Sequence, residues 1–386
     1  MKVLVGVTYY RPHVSGLTIY VERLARALVA RGHSVTMLTA QFDPTLPRRE
    51  NLHGVDVIRV PVALRVSKGV IMPTIGLEAT RLVPRHDVIS LHLPQLDATG
   101  IALRGKLWRK PVVVTYHSDL ILPPSLINWL AQTVSDLGND AVAHLADVLV
   151  AYTDDFARHS RYLSKYLKKV QVISPPVEVP IPSPEAIRAF REVHQLDGTG
   201  PIIGMLGRVA AEKGVEYLLE ALPTIVARYP SARVLHAGPK EAIGEKAYLE
   251  RMERLIAEQG ERYKFLGTLN AEQVAVFFSN CDIHVLPSIN NTETFGLVQI
   301  EAALCGTPTV ASALPGVRMP TQMTGMGTTA PPRDPAALAA AILEVLDHRE
   351  KYLRPRGPIA AQFAPANTAA EYEVIFERLL AEKRRP

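Results

Sequence analysis

The sequence predicts an α/β protein of two domains, each a doubly wound, Rossmann-like parallel sheet. Short β-branched apolar runs alternate with longer stretches of helical period, the pattern of βαβ units. This alternation opens the chain and restarts near residue 201. Between the two series lies SPPVEVPIPSP, residues 174–184, with five prolines in eleven positions. Prolines remove backbone donors and favour extended chain, so the segment reads as a linker. A length of 386 residues suits two domains that each bury a core.

Lys2–Thr8 reads as a buried strand and Tyr9–Gly16 as a loop. Leu17, Tyr20, Val21, Leu24, Leu28 and Val29 then recur on one helical face, and Gly32 stands where a C-terminal cap belongs. Ser34–Thr39 is the next strand. In the second series Pro201–Leu206 is a strand, Gly207–Lys213 a loop and Gly214–Arg228 a helix. Strands follow at Arg233–Ala237, Tyr263–Leu266, Asp282–Leu286 and Thr307–Ala311, with helices around Glu245–Gln259, Ala271–Ser279 and Phe295–Leu304 between them. A last helix, Thr368–Arg385, carries apolar Ala369, Tyr372, Ile375, Phe376 and Leu379. The predicted domains are residues 1–178, joined by the C-terminal helix 368–386, and residues 179–367.

No stretch reaches the roughly 18–20 apolar residues of a membrane helix. The initial VLVGV is too short for a signal-peptide core, so the expected location is cytoplasmic. Net charge is +5, unevenly spread. Residues 1–180 hold 21 Lys and Arg against 14 Asp and Glu, net +7, and the rest hold 22 against 24, net −2. The basic half suits an ordinary solvated surface or a peripheral contact with anionic membrane at the inner face of the cell membrane. Basic runs with interleaved aromatics are missing, which argues against nucleic acid. Cys281 and Cys305 match no metal or redox spacing and read as two buried thiols. No Cys/His cluster and no Asp-x-Asp is present, so no metal and no cofactor is expected.

Ligands of open parallel sheets bind at the carboxyl ends of the strands, and the informative residues lie in those loops. Ser15 and Gly16 open a helix whose first amides lack partners and suit a phosphate. In GRVAAEKG, residues 207–214, Arg208 and Lys213 could neutralise two phosphates, or pair instead with Glu212 or Glu216. Glu293 precedes a helix and Glu301 follows eight residues later, just over two turns, so both carboxylates could share a face. Phe295, Gly296 and Leu297 mark that helix's start, where amides could meet a phosphate. Glu301 sits among Val298, Ile300, Ala302, Ala303 and Leu304, and a ribose diol would partner it. His117 projects from the tip of VVVTY with Asp119 beside it, the makings of a donor to a sugar or a general base. The apolar stretch LILPPSLINWLAQTV, residues 120–134, reads as a core-facing helix or a membrane contact for a lipid acceptor.

Taken together, ETFGLVQIEAALCGTPTVAS, GRVAAEKG, YHSD and PGVRMPTQMTGMGTTAPPRDPAALAAAI resemble glycosyltransferase family 4, over nearly the whole chain. The first is similar to that family's Glu-x7-Glu motif. The resemblance implies a GT-B fold with its two domains facing across a cleft, the last helix crossing back to the N-terminal domain. It implies retaining, metal-independent transfer of a glucose- or mannose-type hexose from a UDP- or GDP-sugar to a hydroxyl acceptor such as a sugar, lipid or lipid-linked glycan. It assigns Arg208 and Lys213 to the donor diphosphate, Glu301 to the ribose, and Glu293 with the Phe295, Gly296 and Leu297 amides to sugar and phosphate. Gly16 is implied for the distal phosphate, His117 for the donor sugar, and Ser15 and Asp119 for the acceptor side. Relatives carry two glycines in the first loop, where this chain has Ser15-Gly16.

Two alternatives share the fold: a nucleotide-sugar epimerase or hydrolase, and a non-catalytic nucleotide-sugar binder. A nicotinamide oxidoreductase is disfavoured, because TYYRPHVSG after the first strand lacks G-x-G-x-x-G.

Overall fold

The structure, a computed structural model, describes residues 1–66, 69–119, 126–240 and 245–384. The chain divides into two units. One combines Met1–Pro176 with the chain from Phe363 onward, and the other is Val177–Gln362.

In chain order the first unit contains β1 (Lys2–Gly6), α1 (Gly16–Ala30), β2 (Ser34–Gln41), β3 (Arg49–Leu52), β4 (Val55–Pro61), β5 (Leu64–Val66), β6 (Gly69–Ile71) and α2 (Ile75–Leu82). Then come β7 (Val88–Leu93), α3 (Ala98–Leu107), β8 (Val112–Tyr116), α4 (Leu126–Leu145), β9 (Val148–Ala151), α5 (Asp154–His159) and β10 (Val170–Val172). Its main sheet runs β10-β9-β8-β7-β1-β2-β4-β3. Pairing is parallel except between β3 and β4, and β5 and β6 form a separate antiparallel pair. The interior strands are buried on both faces, which explains their unbroken apolar runs.

Helix α1 buries Tyr20, Val21, Leu24 and Leu28, as its periodicity predicts, whereas Leu17 and Val29 are half-buried. Gly32 ends it with φ +85° and donates to the Val29 carbonyl. The final helix, Pro365–Arg384, belongs to this unit and buries Ala369, Tyr372, Ile375, Phe376 and Leu379. It packs against α1, where the Tyr372 and Tyr20 hydroxyls meet at 2.9 Å. Residues 120–125 of the stretch read as a core or membrane segment lie outside the described residues.

The second unit contains α6 (Pro184–His194), β11 (Ile202–Leu206), α7 (Val215–Arg228), β12 (Arg233–Ala237), α8 (Lys246–Ala257), β13 (Tyr263–Gly267), α9 (Ala271–Ser279) and β14 (Ile283–Leu286). It continues with α10 (Leu297–Leu304), β15 (Thr309–Ser312), α11 (Met319–Thr324), β16 (Gly327–Ala330), α12 (Pro335–Asp347) and α13 (Arg356–Gln362). Its sheet is parallel throughout, in the order β13-β12-β11-β14-β15-β16. Pro184, counted with the linker from sequence, is instead the first residue of α6. Its fixed φ suits that position, and Ser183 Oγ caps the helix by accepting from the Ala186 amide. Cys281 is buried, but Cys305 is only partly so, because it caps α10 rather than lying inside it.

In both sheets the chain reverses its direction of winding beside the first strand. In the first unit it steps from β1 out to β4 and returns to β7; in the second it steps from β11 to β13 and returns to β14. At such a point the loops at the strands' carboxyl ends diverge and leave a crevice.

Candidate active site

In the second unit the loops that diverge follow β11 and β14. They carry Arg208, Lys213 and Glu293. Lys213 Nζ lies 2.5 Å from Glu293 Oε2, and the two side chains are 20% and 17% exposed. Arg208 pairs with Glu212. Glu216 takes neither cation and accepts from the Tyr248 hydroxyl at 2.5 Å. Arg208 thus has the local partner its spacing suggests, while Lys213 reaches across to a carboxylate eighty positions away.

Glycine makes this approach possible. Gly214 has φ +64°, and a Cβ there would stand 2.2 Å from the Pro287 carbonyl oxygen. Only a residue without a side chain lets the first loop settle on the second. The Ile289 amide then donates to the Glu212 carbonyl at 3.0 Å, joining the loops through backbone. Gly238, with φ +140°, is equally tight: its Cβ would be 2.1 Å from the Gly207 oxygen. Beneath them His236 is fully buried, Nε2 against the Gly207 carbonyl and Nδ1 against the Tyr263 hydroxyl. Burial pushes its pKa down to about 4, so it stays neutral and holds the loop as a dipole.

Helix α10 begins at Leu297 rather than Phe295. Its N-cap is Gly296, with φ +77° and no capping side chain. No side chain caps the first-turn amides and no acidic residue lies in that turn, although the Gln299 amide donates to the Gly296 carbonyl at 2.9 Å. Gln299 folds back, Nε2 donating to the carbonyls of Phe295 and Val317, both at 2.8 Å. The late start corrects the reading of Glu293 and Glu301 as one helical face. Glu293 stands outside the helix, separated from it by a left-handed glycine, and its position is set by Lys213. Glu301 is on α10 and 8% exposed. Phe295 points its ring into the core at 1% exposure, leaving its main chain as the part near the loop. Ser288, unnoticed in the sequence, is fully buried with its hydroxyl unpartnered among the described residues.

The first unit holds the other predicted residues. Ser15 is the N-cap of α1, its Oγ accepting from the Thr18 amide at 3.2 Å and lying 3.0 Å from Thr18 Oγ1. The hydroxyl is thus engaged in capping. Gly16 is exposed and a Cβ there would meet nothing within 4 Å, so the space before the helix is open.

His117 follows β8 and is buried at 6% exposure. Its Nε2 lies 2.8 Å from His92 Nδ1, and its Nδ1 bonds the Tyr152 hydroxyl. Desolvation, with His92 alongside, holds its pKa well below the usual histidine value. Both ring nitrogens are therefore occupied within the unit, and contact with a sugar requires exchange of one partner. Asp119 is 4% exposed and accepts from Tyr116 Oη at 3.0 Å, Ser160 Oγ at 2.7 Å and the Arg161 amide at 3.4 Å. Those bonds tie it to the turn after α5 rather than to His117. Among the described residues no three His, Cys, Asp or Glu are grouped to hold a metal, and no helix is long and apolar enough to cross a membrane.

Each half of the chain matches a family model. Residues 15–176 match the glycosyl transferase 4-like domain and residues 186–357 match glycosyl transferases group 1. A D-inositol 3-phosphate glycosyltransferase 2 of Catenulispora acidiphila is 30% identical across 96% of this chain and 91% of that protein. The chain belongs to the glycosyltransferases of the family 4 type. An uncharacterized glycosyltransferase of Methanocaldococcus jannaschii is 28% identical across 90% of this chain and 89% of its own. Sucrose-phosphate synthase of Thermosynechococcus elongatus superimposes with a TM-score of 0.77 at 24% identity, over 99% of both chains. HepE of Anabaena, solved with UDP-glucose, superimposes at 0.69 with 20% identity, over 99% of this chain and 98% of that one. These neighbours share the GT-B fold, as the transferase resemblance implied.

Proposed function

We propose that this glycosyltransferase moves a glucose- or mannose-type hexose from a UDP- or GDP-sugar to a hydroxyl acceptor, with retention and without a metal in the step. The observation that carries the reading is the meeting of Lys213 and Glu293, with Arg208 nearby in sequence, where the second unit's sheet reverses its winding. Packing has no use for two cations there, whereas a diphosphate does. The complexes of the fold neighbour HepE with UDP and UDP-glucose support a uridine donor.

In this scheme a diphosphate displaces Glu293 from Lys213 and Glu212 from Arg208. The freed Glu293 accepts hydroxyls of the donor sugar, and Glu301 those of the ribose. Amides at Phe295, Gly296 and Leu297 face the phosphate and sugar. The bond from the anomeric carbon to the distal phosphate breaks, its electrons passing to the phosphate oxygen. Arg208, Lys213 and the amides at the start of α10 stabilise that growing charge. The acceptor oxygen bonds the anomeric carbon on the face the phosphate leaves, and its proton passes to the departing phosphate.

We assign the acceptor to the first unit, through Ser15 and the loops beside it, with Gly16 towards the donor's distal phosphate and His117 turning one nitrogen to the donor sugar. Asp119 then acts by fixing the chain after β8. The net +7 of residues 1–180 favours an acidic acceptor or an anionic membrane surface. The names of the inositol phosphate relatives support a phosphorylated polyol over a neutral lipid.

Incubation with labelled UDP-glucose and GDP-mannose tests the class. Release of free sugar and nucleoside diphosphate is expected, faster when an acceptor is present. An isomerised nucleotide sugar would point to an epimerase, and binding without cleavage would leave only a binder.

A further inference from the structure

Three helices of the first unit lie side by side and present apolar side chains to solvent. Helix α3 packs against α2 and against α4, where Thr99 Oγ1 donates to the Gly138 carbonyl at 3.1 Å. The buried face of α3 is Ala98, Ile101, Ala102 and Gly105, which sets Leu103 and Leu107 on the opposite side, one turn apart. Both are exposed, Leu107 at 69%. Leu77 on α2 and Val134 and Leu137 on α4 are exposed as well, and Trp108, which ends α3, is 40% exposed. Single exposed leucines are ordinary, but six large apolar residues on adjoining helices make a patch, and such patches mark interaction surfaces.

The free charge beside the patch has one sign. Residues 98–118 hold four cations, Arg104, Lys106, Arg109 and Lys110, and no Asp or Glu. Arg104 is used inside the unit, donating to Thr80 Oγ1 of α2 and to the Gly100 carbonyl, both at 2.8 Å. Lys106 and Arg109 flank Leu107 and Trp108, are exposed, and have no carboxylate partner among the described residues. The acids of the neighbouring helices are already matched: Glu78 with Arg81, Asp136 with Arg161 and Asp140 with Lys165. Asp97 stands at the opposite end of α3, as its N-cap.

We propose that this face of α2, α3 and α4 docks on an anionic lipid bilayer. The leucines and Trp108 enter the boundary between headgroups and acyl chains, while Lys106 and Arg109 extend to the lipid phosphates. A tryptophan beside long cations suits that boundary, because the indole is apolar and still donates a hydrogen bond. A second copy of the chain fits the patch poorly, since a two-fold contact sets these cations against themselves. A peptide helix needs a groove, whereas Leu103 and Leu107 stand on the crest of their helix. The inference goes beyond the transferase reading and does not rest on it, since bilayer binding needs neither donor nor acceptor.

The test is flotation of the full chain with vesicles of phosphatidylcholine, with and without about 30% phosphatidylglycerol, at about 0.1 M salt. The wild type floats with the phosphatidylglycerol vesicles and not with phosphatidylcholine alone. Lys106→Gln with Arg109→Gln lowers the partition coefficient about tenfold or more, and so does Leu103→Ser with Leu107→Ser. Melting temperature and UDP affinity stay at wild-type values in both, since all four side chains face water. In a Trp129→Phe chain Trp108 is the one tryptophan left, and its emission shifts to shorter wavelength when anionic vesicles are added. No flotation, equal binding to both kinds of vesicle, an unshifted Trp108 emission or wild-type binding by either double variant overturns the proposal. A wild type that sediments as a dimer, made monomeric by the serine pair, gives the face to a second copy and overturns it too. The Trp108 emission is read on a chain that keeps the whole face, so it decides the matter even where a double variant unfolds. Flotation by a chain that binds neither UDP nor GDP leaves this surface standing and sinks the transferase reading alone.

Discussion

Lys213 Nζ and Glu293 Oε2 stand 2.5 Å apart, joined across eighty residues by two loops that touch because Gly214 has no side chain. The ammonium that the donor phosphates need is already neutralised by a carboxylate on the facing loop. Diphosphate binding is then an exchange of anions at Lys213.

That exchange predicts an unusual sign for Glu293→Gln. Without its carboxylate competitor, Lys213 should hold UDP about three- to tenfold more tightly, an amount fitting a pair that is only partly buried. Transfer from UDP-glucose should fall in the same variant, because the neutral amide offers the sugar hydroxyls one accepting oxygen in place of two charged ones. Calorimetry with UDP and a turnover assay measure the two separately.

Gly214→Ala should harm both fold and binding. The added methyl meets the Pro287 carbonyl, and φ +64° is strained for alanine, so about 2–3 kcal/mol of stability should be lost. Urea unfolding reads the loss, and UDP affinity should drop with it as the two loops separate.

The last helix should depend on one hydroxyl. Tyr372 Oη lies 2.9 Å from Tyr20 Oη and 2.6 Å from Thr115 Oγ1, all buried. Tyr372→Phe leaves two buried hydroxyls short of a partner and should cost about 1–3 kcal/mol, seen as a lower urea midpoint.

Acid should weaken the fold before most carboxylates titrate. Burial lowers His92 and His284 to about 3 and His236 to about 4, with His117 also well below the ordinary value. Below about pH 6.5 the unfolded chain takes up protons that these folded rings refuse, so stability falls as pH falls towards their folded values. Each ring should contribute about 1 kcal/mol of loss between pH 6.5 and 5.5. Asp97, raised to about 6, acts in the opposite sense and offsets one of them. Urea midpoints at the two pH values check this; equal midpoints would mean the rings charge inside the fold.

Much of this architecture is legible in the sequence where a strand is buried on both faces. Ile202–Leu206, Arg233–Ala237 and Tyr263–Gly267 announce themselves as apolar runs between helices of regular period, and Ala271–Ser279 matches its expected span. The edge is harder. RENL at β3 is a short, half-exposed antiparallel strand with no apolar alternation, and the small β5–β6 pair carries no pattern either. At the site, strand-end loops mark Arg208, Lys213 and Glu293 because cations and carboxylates there have no packing role. Arg208 pairs with Glu212 as its spacing suggests, but nothing local in GRVAAEKG says that Lys213 meets Glu293. Gly214 and Gly238 look like ordinary turn residues until their neighbours are known. The His92–His117–Tyr152 chain arises only when distant strands align.

The most direct test of the account is UDP affinity in Lys213→Ala, measured by calorimetry beside uridine as a control lacking phosphates. The account predicts that UDP binds at least about tenfold more weakly to the variant while uridine binding is unchanged, since a charge-assisted contact to the diphosphate is lost and nothing at the base is. UDP bound as tightly as by the wild type would contradict it.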